Sequence, residues 1–224
     1  MTNGLSHPAQ TAQEWQSAGR PWPLLRAVES RAFNDRRWRL VAAAFCRLHA
    51  DVLPPGCLAL LEASERIANG QESLEHSNDL CLQANRITRE VENLIGVRWR
   101  QGSLEVRRRR AACAAVCYAV LGDAWGSLSD ENLLGDGWLK AEADLVRCVF
   151  ANPFRPVVFS AGWRTPLTTA LARTAYDQRD FSILPILGDA LIDAGCDNDD
   201  ILTHCHGPGL HSRGCWVLDA VLGR

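Results

Sequence analysis

A short segment near the C-terminus, residues 194–216, concentrates the side chains that can do chemistry. It holds three of the six histidines and three of the nine cysteines around a Gly-Pro-Gly turn. These six residues are His204, His206, His211, Cys196, Cys205 and Cys215. Thiolate and imidazole are ligands that zinc prefers, and a thiolate beside a histidine is also a nucleophile. The segment therefore predicts a metal site, a reactive thiol or a tightly packed helical corner.

A zinc site is one interpretation of this segment. His211 and Cys215 stand four residues apart at the start of a predicted helix, where two ligands on one face can share an ion. Cys205 or His206 would complete the site across the Gly-Pro-Gly turn. The chain has no Cys-x-x-Cys pair, the spacing most typical of zinc proteins. We therefore expect a packed corner without a cofactor, and zinc held by these residues is the alternative.

A small Cys/His-dependent enzyme is a further alternative. Cys215 lies in the first turn of the predicted helix, whose positive end favours a thiolate, and His211 is close enough in sequence to serve as a base. Such a pair also needs a group that orients the base, and Asp219 is the one candidate nearby. We expect no catalytic residue in this chain, with Cys215 and His211 as the pair to test.

Composition and charge argue against several classes of protein. The 224-residue chain is 47% hydrophobic and 22% charged, and 24 basic residues nearly balance 26 acidic ones. The one basic cluster, residues 107–110, points all round a predicted helix that has glutamates nearby, so nucleic-acid binding is not expected. No apolar run reaches the roughly 18 residues of a membrane span. Nine cysteines, several within apolar helical patterns, indicate reduced thiols, and we expect a cytoplasmic protein.

Apolar residues recur at three- and four-residue steps through most of the chain, as is typical of amphipathic helices. Capping patterns predict helices that begin at or just after Thr11, Asn34, Pro54, Ser103 and Thr165, and the first of them is predicted to end at Gly19 and Pro21. Further helices are predicted over 74–95, 138–149, 183–194, 197–203 and 212–222. The only plausible β-strand, residues 157–159, is too short and isolated to found a sheet. The sequence predicts an all-α, irregular multi-helix bundle.

The Asn-Pro-Phe-Arg-Pro segment at 152–156 is predicted to interrupt the helices, because two prolines within five residues cannot lie inside one. It suggests an N-terminal helical lobe over residues 1–150 and a C-terminal helical lobe over residues 151–224. The two lobes can also form a single domain.

We expect the same segment to clasp the two lobes together. Phe154 would be buried between them. Arg155 would donate to the carbonyl groups at a helix end, or to an acidic residue such as Asp189 or Asp219.

Several segments carry a resemblance to known proteins. They include Asn-Pro-Phe-Arg-Pro-Val at 152–157, Ala-Tyr-Asp-Gln-Arg-Asp-Phe at 175–181, Leu-Pro-Ile-Leu at 184–187 and His-Cys-His-Gly-Pro-Gly-Leu-His-Ser-Arg-Gly-Cys-Trp at 204–216. Through them the chain resembles a family of uncharacterised helical bacterial proteins over most of its length. The resemblance implies a helical fold and a bacterial source, and it implies no particular activity.

Tryptophan and arginine are the side chains that most often anchor protein interfaces. The chain has eight tryptophans, mostly near predicted helix ends, and we expect Arg155, Trp163 and Arg213 to contribute to binding. The leading hypothesis is therefore a non-catalytic cytosolic interaction or adaptor protein whose partner is another protein. The alternative is a zinc-binding protein or a small enzyme centred on residues 204–216.

Overall fold

A computed structural model describes residues 7–29, 35–95, 103–128 and 136–224. Eleven α-helices lie in these ranges, and no β-strand is present in them, so the prediction of an all-α fold is confirmed. The predicted cap at Asn34 lies outside the described residues. Within the described ranges, no helix is both long and apolar enough to cross a bilayer.

The helices are numbered in chain order. They are α1 (Ala12–Ser17), α2 (Pro21–Glu29), α3 (Asp35–Arg47), α4 (Pro55–Ala68), α5 (His76–Ile95), α6 (Leu104–Ala119), α7 (Asp136–Phe150), α8 (Pro166–Gln178), α9 (Leu184–Asp193), α10 (Asp199–His206) and α11 (Trp216–Leu222). Two 3₁₀ turns precede α8 and α9, at Ala161–Trp163 and Phe181–Ile183. Helix α3 packs against α4, α6 and α7, while α8 packs against α9 and α11.

Several helix ends lie where their capping residues predict them. The Thr11 hydroxyl accepts a hydrogen bond from the Glu14 amide at 3.2 Å, and Thr165 does the same for Thr168 at 3.1 Å. Proline at the first position of α8 fits because its missing N–H would have no partner there. These caps confirm the predicted starts of α1 and α8.

The predicted helix boundaries at Pro21 and Ser212 are wrong. Pro21 does not end a helix but begins α2, because a proline at the first helical position has the backbone angle that the helix needs. The last helix begins at Trp216 rather than at Ser212. The residues in between form a turn in which the Cys215 amide donates to the Ser212 carbonyl at 3.1 Å, and Gly214 has φ 89°.

Two apolar clusters fill the interior, and they divide the chain near residue 150. The first contains residues between 9 and 150, and its largest fully buried side chains include Trp15, Phe45 and Leu61. The second draws almost entirely on α8 to α11, with Leu187 and Leu218 fully buried. Complete burial of one such side chain contributes about 1.5–3 kcal/mol, so each cluster can hold its own set of helices together.

A network of charged side chains lies between α4 and the C-terminal segments. Glu62 and Glu65 on α4 accept hydrogen bonds from Arg47, Arg179 and Arg213. The Glu65 side chain is buried, so its charge depends on these guanidinium groups for compensation. The network therefore fixes the C-terminal helices onto α4.

Residues 152–156, predicted to clasp the two lobes, make contacts that differ in part from those expected. Phe154 is half-buried and packs against the first apolar cluster. Arg155 pairs with an acidic residue, as predicted, but the residue is Asp200 and neither Asp189 nor Asp219: its Nε lies 3.3 Å from Asp200 Oδ2, and its side chain is exposed. The other two carboxylates are engaged by different side chains.

Candidate metal centre

Four potential metal ligands converge where the end of α7 meets the segment around α10 and α11. Cys148 comes from α7, His204 from α10, and His211 and Cys215 from the connection between α10 and α11. One ligand atom of each residue lies within 4.8 Å of the other three. Two thiols and two imidazoles form a donor set that zinc binds in tetrahedral sites. We refer to these four residues as the Cys₂His₂ centre.

Backbone turns place two of the four ligands. Helix α10 ends at Gly207, and the chain passes through His211 before it turns back at Gly214. Gly214 has a φ that favours glycine, and a Cβ built there would lie 2.9 Å from Leu40 Cδ1. This close approach seats the turn against α3. Cys215 follows directly as the N-cap residue of α11, which fixes its position in the centre.

The distances within the centre agree with those of a tetrahedral metal site. His204 Nε2 lies 3.2 Å from Cys215 Sγ, and His211 Nδ1 lies 3.7 Å from Cys148 Sγ. Zinc bonds of about 2.3 Å to sulfur and about 2.05 Å to nitrogen, at tetrahedral angles, separate the two ligand atoms by about 3.6 Å. The two imidazole rings are nearly perpendicular, with centroids 4.9 Å apart and planes at 82°. Two of the six separations between ligand atoms are thus close to those of a tetrahedral zinc site.

The two thiols differ in their electrostatic surroundings, although both are buried. Burial raises the pKa of the Cys148 thiol well above its usual range. Burial also opposes ionisation of Cys215, but hydrogen bonds with Cys148, His204 and His211, together with the charge on His204, hold the pKa of Cys215 well below its usual range. A bound cation would favour the thiolate form of both residues, because it compensates their charge in this buried position.

The sequence-predicted ligands separate into two groups. The structure brings His211 and Cys215 together in the centre, although the residues between them form a turn instead of a helix. It does not bring Cys205 or His206 there. Cys205 packs in the second apolar cluster, and His206 bonds Leu202 and the Asp189 carboxylate instead.

The length of α10 explains why the Cys205 and His206 side chains point away from the centre. The helix runs through His206, three residues further than predicted, so residues 204 and 206 are about 200° apart around its axis. His204 faces the centre and also contacts the Trp216 ring, with centroids 5.3 Å apart. His206 Nε2 lies on the opposite side, 3.1 Å from Asp189 Oδ1.

Sequence reasoning named neither His204 nor Cys148 as a ligand, and Cys148 is the harder of the two to find. It lies in the apolar stripe of α7, where a cysteine is usually a small core residue, and it is 56 residues from the nearest other ligand, His204. Its side chain belongs to the second apolar cluster although α7 otherwise packs in the first. No local sequence feature marks it as a ligand.

The three residues predicted to bind a partner occupy different environments. Arg213 is used internally: it donates to Glu62 and Glu65, and its Nε donates to the Tyr176 carbonyl at 3.0 Å. Trp163 is half-buried and packs edge-on against another aromatic ring. Arg155 is the exposed one, and it lines a cavity beside the Cys₂His₂ centre.

This cavity has a volume of about 200 Å³ and opens over the centre. Three of the four ligands lie on its wall, namely Cys148, His204 and His211. Cys215 does not line the cavity and lies behind the other three. A metal bound to all four would therefore have one side turned toward this space.

Comparisons of the chain with protein-family models, with curated proteins and with solved structures find no match. The resemblance to helical bacterial proteins stays a prediction from sequence. The arrangement of side chains is thus the basis on which a function can be argued.

Proposed function

We propose that this protein binds one zinc ion through Cys148, His204, His211 and Cys215. The observation that carries the proposal is the convergence of two thiols and two imidazoles, with all four ligand atoms within 4.8 Å of one another. Zinc uses this donor set in its tetrahedral sites. Metal binding would also stabilise both thiols as thiolates, which their burial otherwise disfavours.

The metal would fasten the C-terminal helices to the rest of the chain. Cys148 lies on α7, which contributes five buried residues between Ala143 and Phe150 to the first apolar cluster, while the remaining ligands lie on α10 and the segment before α11. A zinc ion held by four protein ligands is typical of structural sites, where the binding free energy contributes directly to folding. The proposed role is therefore a structural cross-link between the two clusters.

Metal binding is better supported than a catalytic Cys215. The Cys215 side chain is completely buried and does not reach the cavity wall, so a substrate has no path to its sulfur. Asp219, the group expected to orient a catalytic histidine, instead bonds Arg36. A structural zinc centre is compatible with the interaction or adaptor role predicted from the sequence, because neither requires catalysis.

Elemental analysis of protein purified without chelator tests this proposal. We expect about one zinc per chain in the wild type and in the matched controls Cys205→Ala and His206→Ala, whose side chains lie outside the centre. Cys148→Ala and His211→Ala should lose the metal. Reconstitution of the wild type with Co²⁺ should give the intense visible and near-ultraviolet bands of tetrahedral thiolate coordination.

The cobalt spectrum is recorded on the wild-type protein, so the proposal can still be tested if a ligand variant fails to fold. A wild-type chain that binds neither zinc nor cobalt after anaerobic reconstitution would contradict the proposal. Loss of metal in the Cys205→Ala protein, with full retention in folded Cys148→Ala, would assign the site to other residues and equally contradict it.

A further inference from the structure

A second cavity, of about 210 Å³, shares Leu210 and His211 with the cavity over the Cys₂His₂ centre. Six of its twelve wall residues are apolar, namely four leucines, one alanine and one phenylalanine. The other six are polar: Arg47, Glu65, Arg179, His211, Ser212 and Arg213. Binding sites for small molecules commonly combine apolar walls with a few polar groups. We refer to this space as the arginine cavity.

The arginine cavity carries more positive than negative charge. Three of its wall residues are arginines, whereas Glu65 is the only acid among them. Glu62 does not line the cavity, but it pairs with all three guanidinium groups, as Glu65 does. Within the part of the chain that the structure describes, no third carboxylate pairs with these arginines. Three positive charges therefore face two negative ones.

The excess positive charge is largely withdrawn from water. The side chains of Arg47 and Arg179 are 23% exposed, and that of Arg213 is 14% exposed. Burial of a charge is unfavourable unless a group of opposite sign compensates it. An anion bound in the cavity would supply the missing negative charge.

Two of the arginines keep hydrogen-bond donors for such an anion. A guanidinium group carries five N–H donors, and Arg47 uses two of them, one on Glu65 and one on Glu62. Arg179 donates to the same two carboxylates through its terminal nitrogens and not through Nε. Arg213 is more fully used, since it also donates to two backbone carbonyls. Paired N–H donors of this kind suit a carboxylate, which accepts two parallel hydrogen bonds.

The volume and the apolar half of the wall indicate the rest of the ligand. An apolar cavity of about 150 Å³ is large enough to bind benzene. The arginine cavity, at about 210 Å³, therefore accommodates one aromatic ring together with a carboxylate. Phe181 and the four leucines offer the ring an apolar surface.

We propose that the arginine cavity binds a small aromatic monocarboxylate. Arg47 and Arg179 would hold the carboxylate, and the ring would pack against Phe181 and the leucines. No covalent step is involved. The inference goes beyond the zinc centre and does not depend on it, because none of the three arginines is a metal ligand.

Titration of the full-length chain with benzoate at neutral pH, followed by nuclear magnetic resonance, tests this inference. Benzyl alcohol has the same ring without the charge, and acetate has the charge without the ring. We expect benzoate to bind about 10-fold more tightly than benzyl alcohol, the effect of one charge-assisted contact. Acetate should also bind more weakly than benzoate, because it buries no ring.

Two variants change the charge balance in opposite directions. Arg179→Gln leaves two guanidinium groups for two carboxylates, so it should abolish the preference for benzoate over benzyl alcohol. Glu62→Gln increases the excess positive charge without altering the cavity wall, so it should tighten benzoate binding several-fold and leave benzyl alcohol unaffected. Arg66→Gln is the matched control, because Arg66 pairs with Glu72 and does not line the cavity. It should keep the wild-type preference.

Several outcomes would overturn the inference. Equal affinities of the wild type for benzoate and benzyl alcohol would show that the charge is not used, and equal affinities for benzoate and acetate would show that the apolar wall is not used. Tighter binding of inorganic phosphate than of benzoate would assign a different anion. A full preference for benzoate in Arg179→Gln would place the site elsewhere. If Arg179→Gln does not fold, unchanged benzoate affinity in Glu62→Gln is equally contrary.

Discussion

Arg36 on α3 and Asp219 on α11 form a bidentate ion pair, although the two residues are 183 positions apart in sequence. The guanidinium donates at 2.5 Å and 2.9 Å to the two carboxylate oxygens, and the Asp219 side chain is buried. Arg36 also donates to Tyr176 and Asn69. Since Cys215 is the N-cap residue of α11, this contact helps to hold a ligand of the Cys₂His₂ centre in place.

Arg36→Ala is expected to lower the free energy of unfolding by about 3–5 kcal/mol, because it leaves the Asp219 carboxylate buried without its partner. The double variant Arg36→Gln with Asp219→Asn should recover part of this loss, since no charge then remains uncompensated. Urea denaturation measures both. Lys140→Ala, at an exposed residue, should change stability by less than about 0.5 kcal/mol. A double variant as unstable as Arg36→Ala would show that the charge pair is not the cause.

The charged network on α4 predicts a dependence of stability on pH. Burial opposes ionisation of Glu62, but hydrogen bonds and charge from Arg179 and Arg213 lower its pKa to about 2, from an ordinary value of 4.5. A carboxyl whose pKa is lower in the folded state contributes stability above about pH 4.5, and the contribution is lost as pH falls toward 2.

The comparison of wild type with Glu62→Gln isolates this contribution. The variant should melt at a lower temperature at pH 6, and the difference should shrink progressively below pH 4.5. Both proteins are measured with chelator, so that protonation of the metal ligands does not contribute. Glu75→Gln, at an exposed glutamate, should show no such trend. A wild-type advantage that grows as the pH falls would contradict the network as described.

Metal removal should lower the melting temperature of the wild-type protein. Binding at a free zinc concentration of 100 times the dissociation constant stabilises the folded state by about 2.7 kcal/mol. For a chain of this size, that corresponds to a shift of roughly 5–10 °C on addition of chelator. Cys205→Ala should show the same shift and Cys148→Ala none. Equal shifts in Cys148→Ala and wild type would mean that the chelator acts elsewhere.

Much of the fold could be predicted from the sequence because its helix boundaries are encoded locally. Thr11 and Thr165 cap helices with their own hydroxyl groups, and α4 ends directly before Asn69 and Gly70, a pair typical of helix C-termini. The local pattern gave the wrong prediction at Pro21, because a proline can follow the end of one helix or begin the next, and Pro21 begins α2. Each of these outcomes depends on a few neighbouring residues.

The centre could be predicted only in part because its geometry depends on tertiary packing. His211 and Cys215 lie in a conspicuous cluster of ligand-type residues, but Cys148 comes from a helix that is distant in sequence. His204 belongs to the same cluster, but the sequence analysis offered Cys205 or His206 to complete the site, and the extent of α10 decides which face each of these residues occupies.

Gly214 offers a test of how the fold positions Cys215. Alanine at this position would adopt a left-handed conformation, which costs about 1–2 kcal/mol, and its Cβ would lie 2.9 Å from Leu40 Cδ1 and 3.1 Å from Leu40 Cβ. Leu40 is buried against this turn, so overpacking should add about 1–3 kcal/mol. We also expect Gly214→Ala to weaken zinc binding, because relief of the clash moves the adjacent Cys215 away from the other ligands.

Gly223→Ala provides the matched control for this variant. Gly223 also has a positive φ, of 71°, but a Cβ there would meet no atom within 4 Å. This variant should therefore show the backbone cost alone and bind zinc as the wild type does. Urea denaturation measures the first effect and competition with a chromophoric chelator measures the second. If Gly214→Ala and Gly223→Ala lose the same stability and keep the same zinc affinity, the contact with Leu40 does not position Cys215.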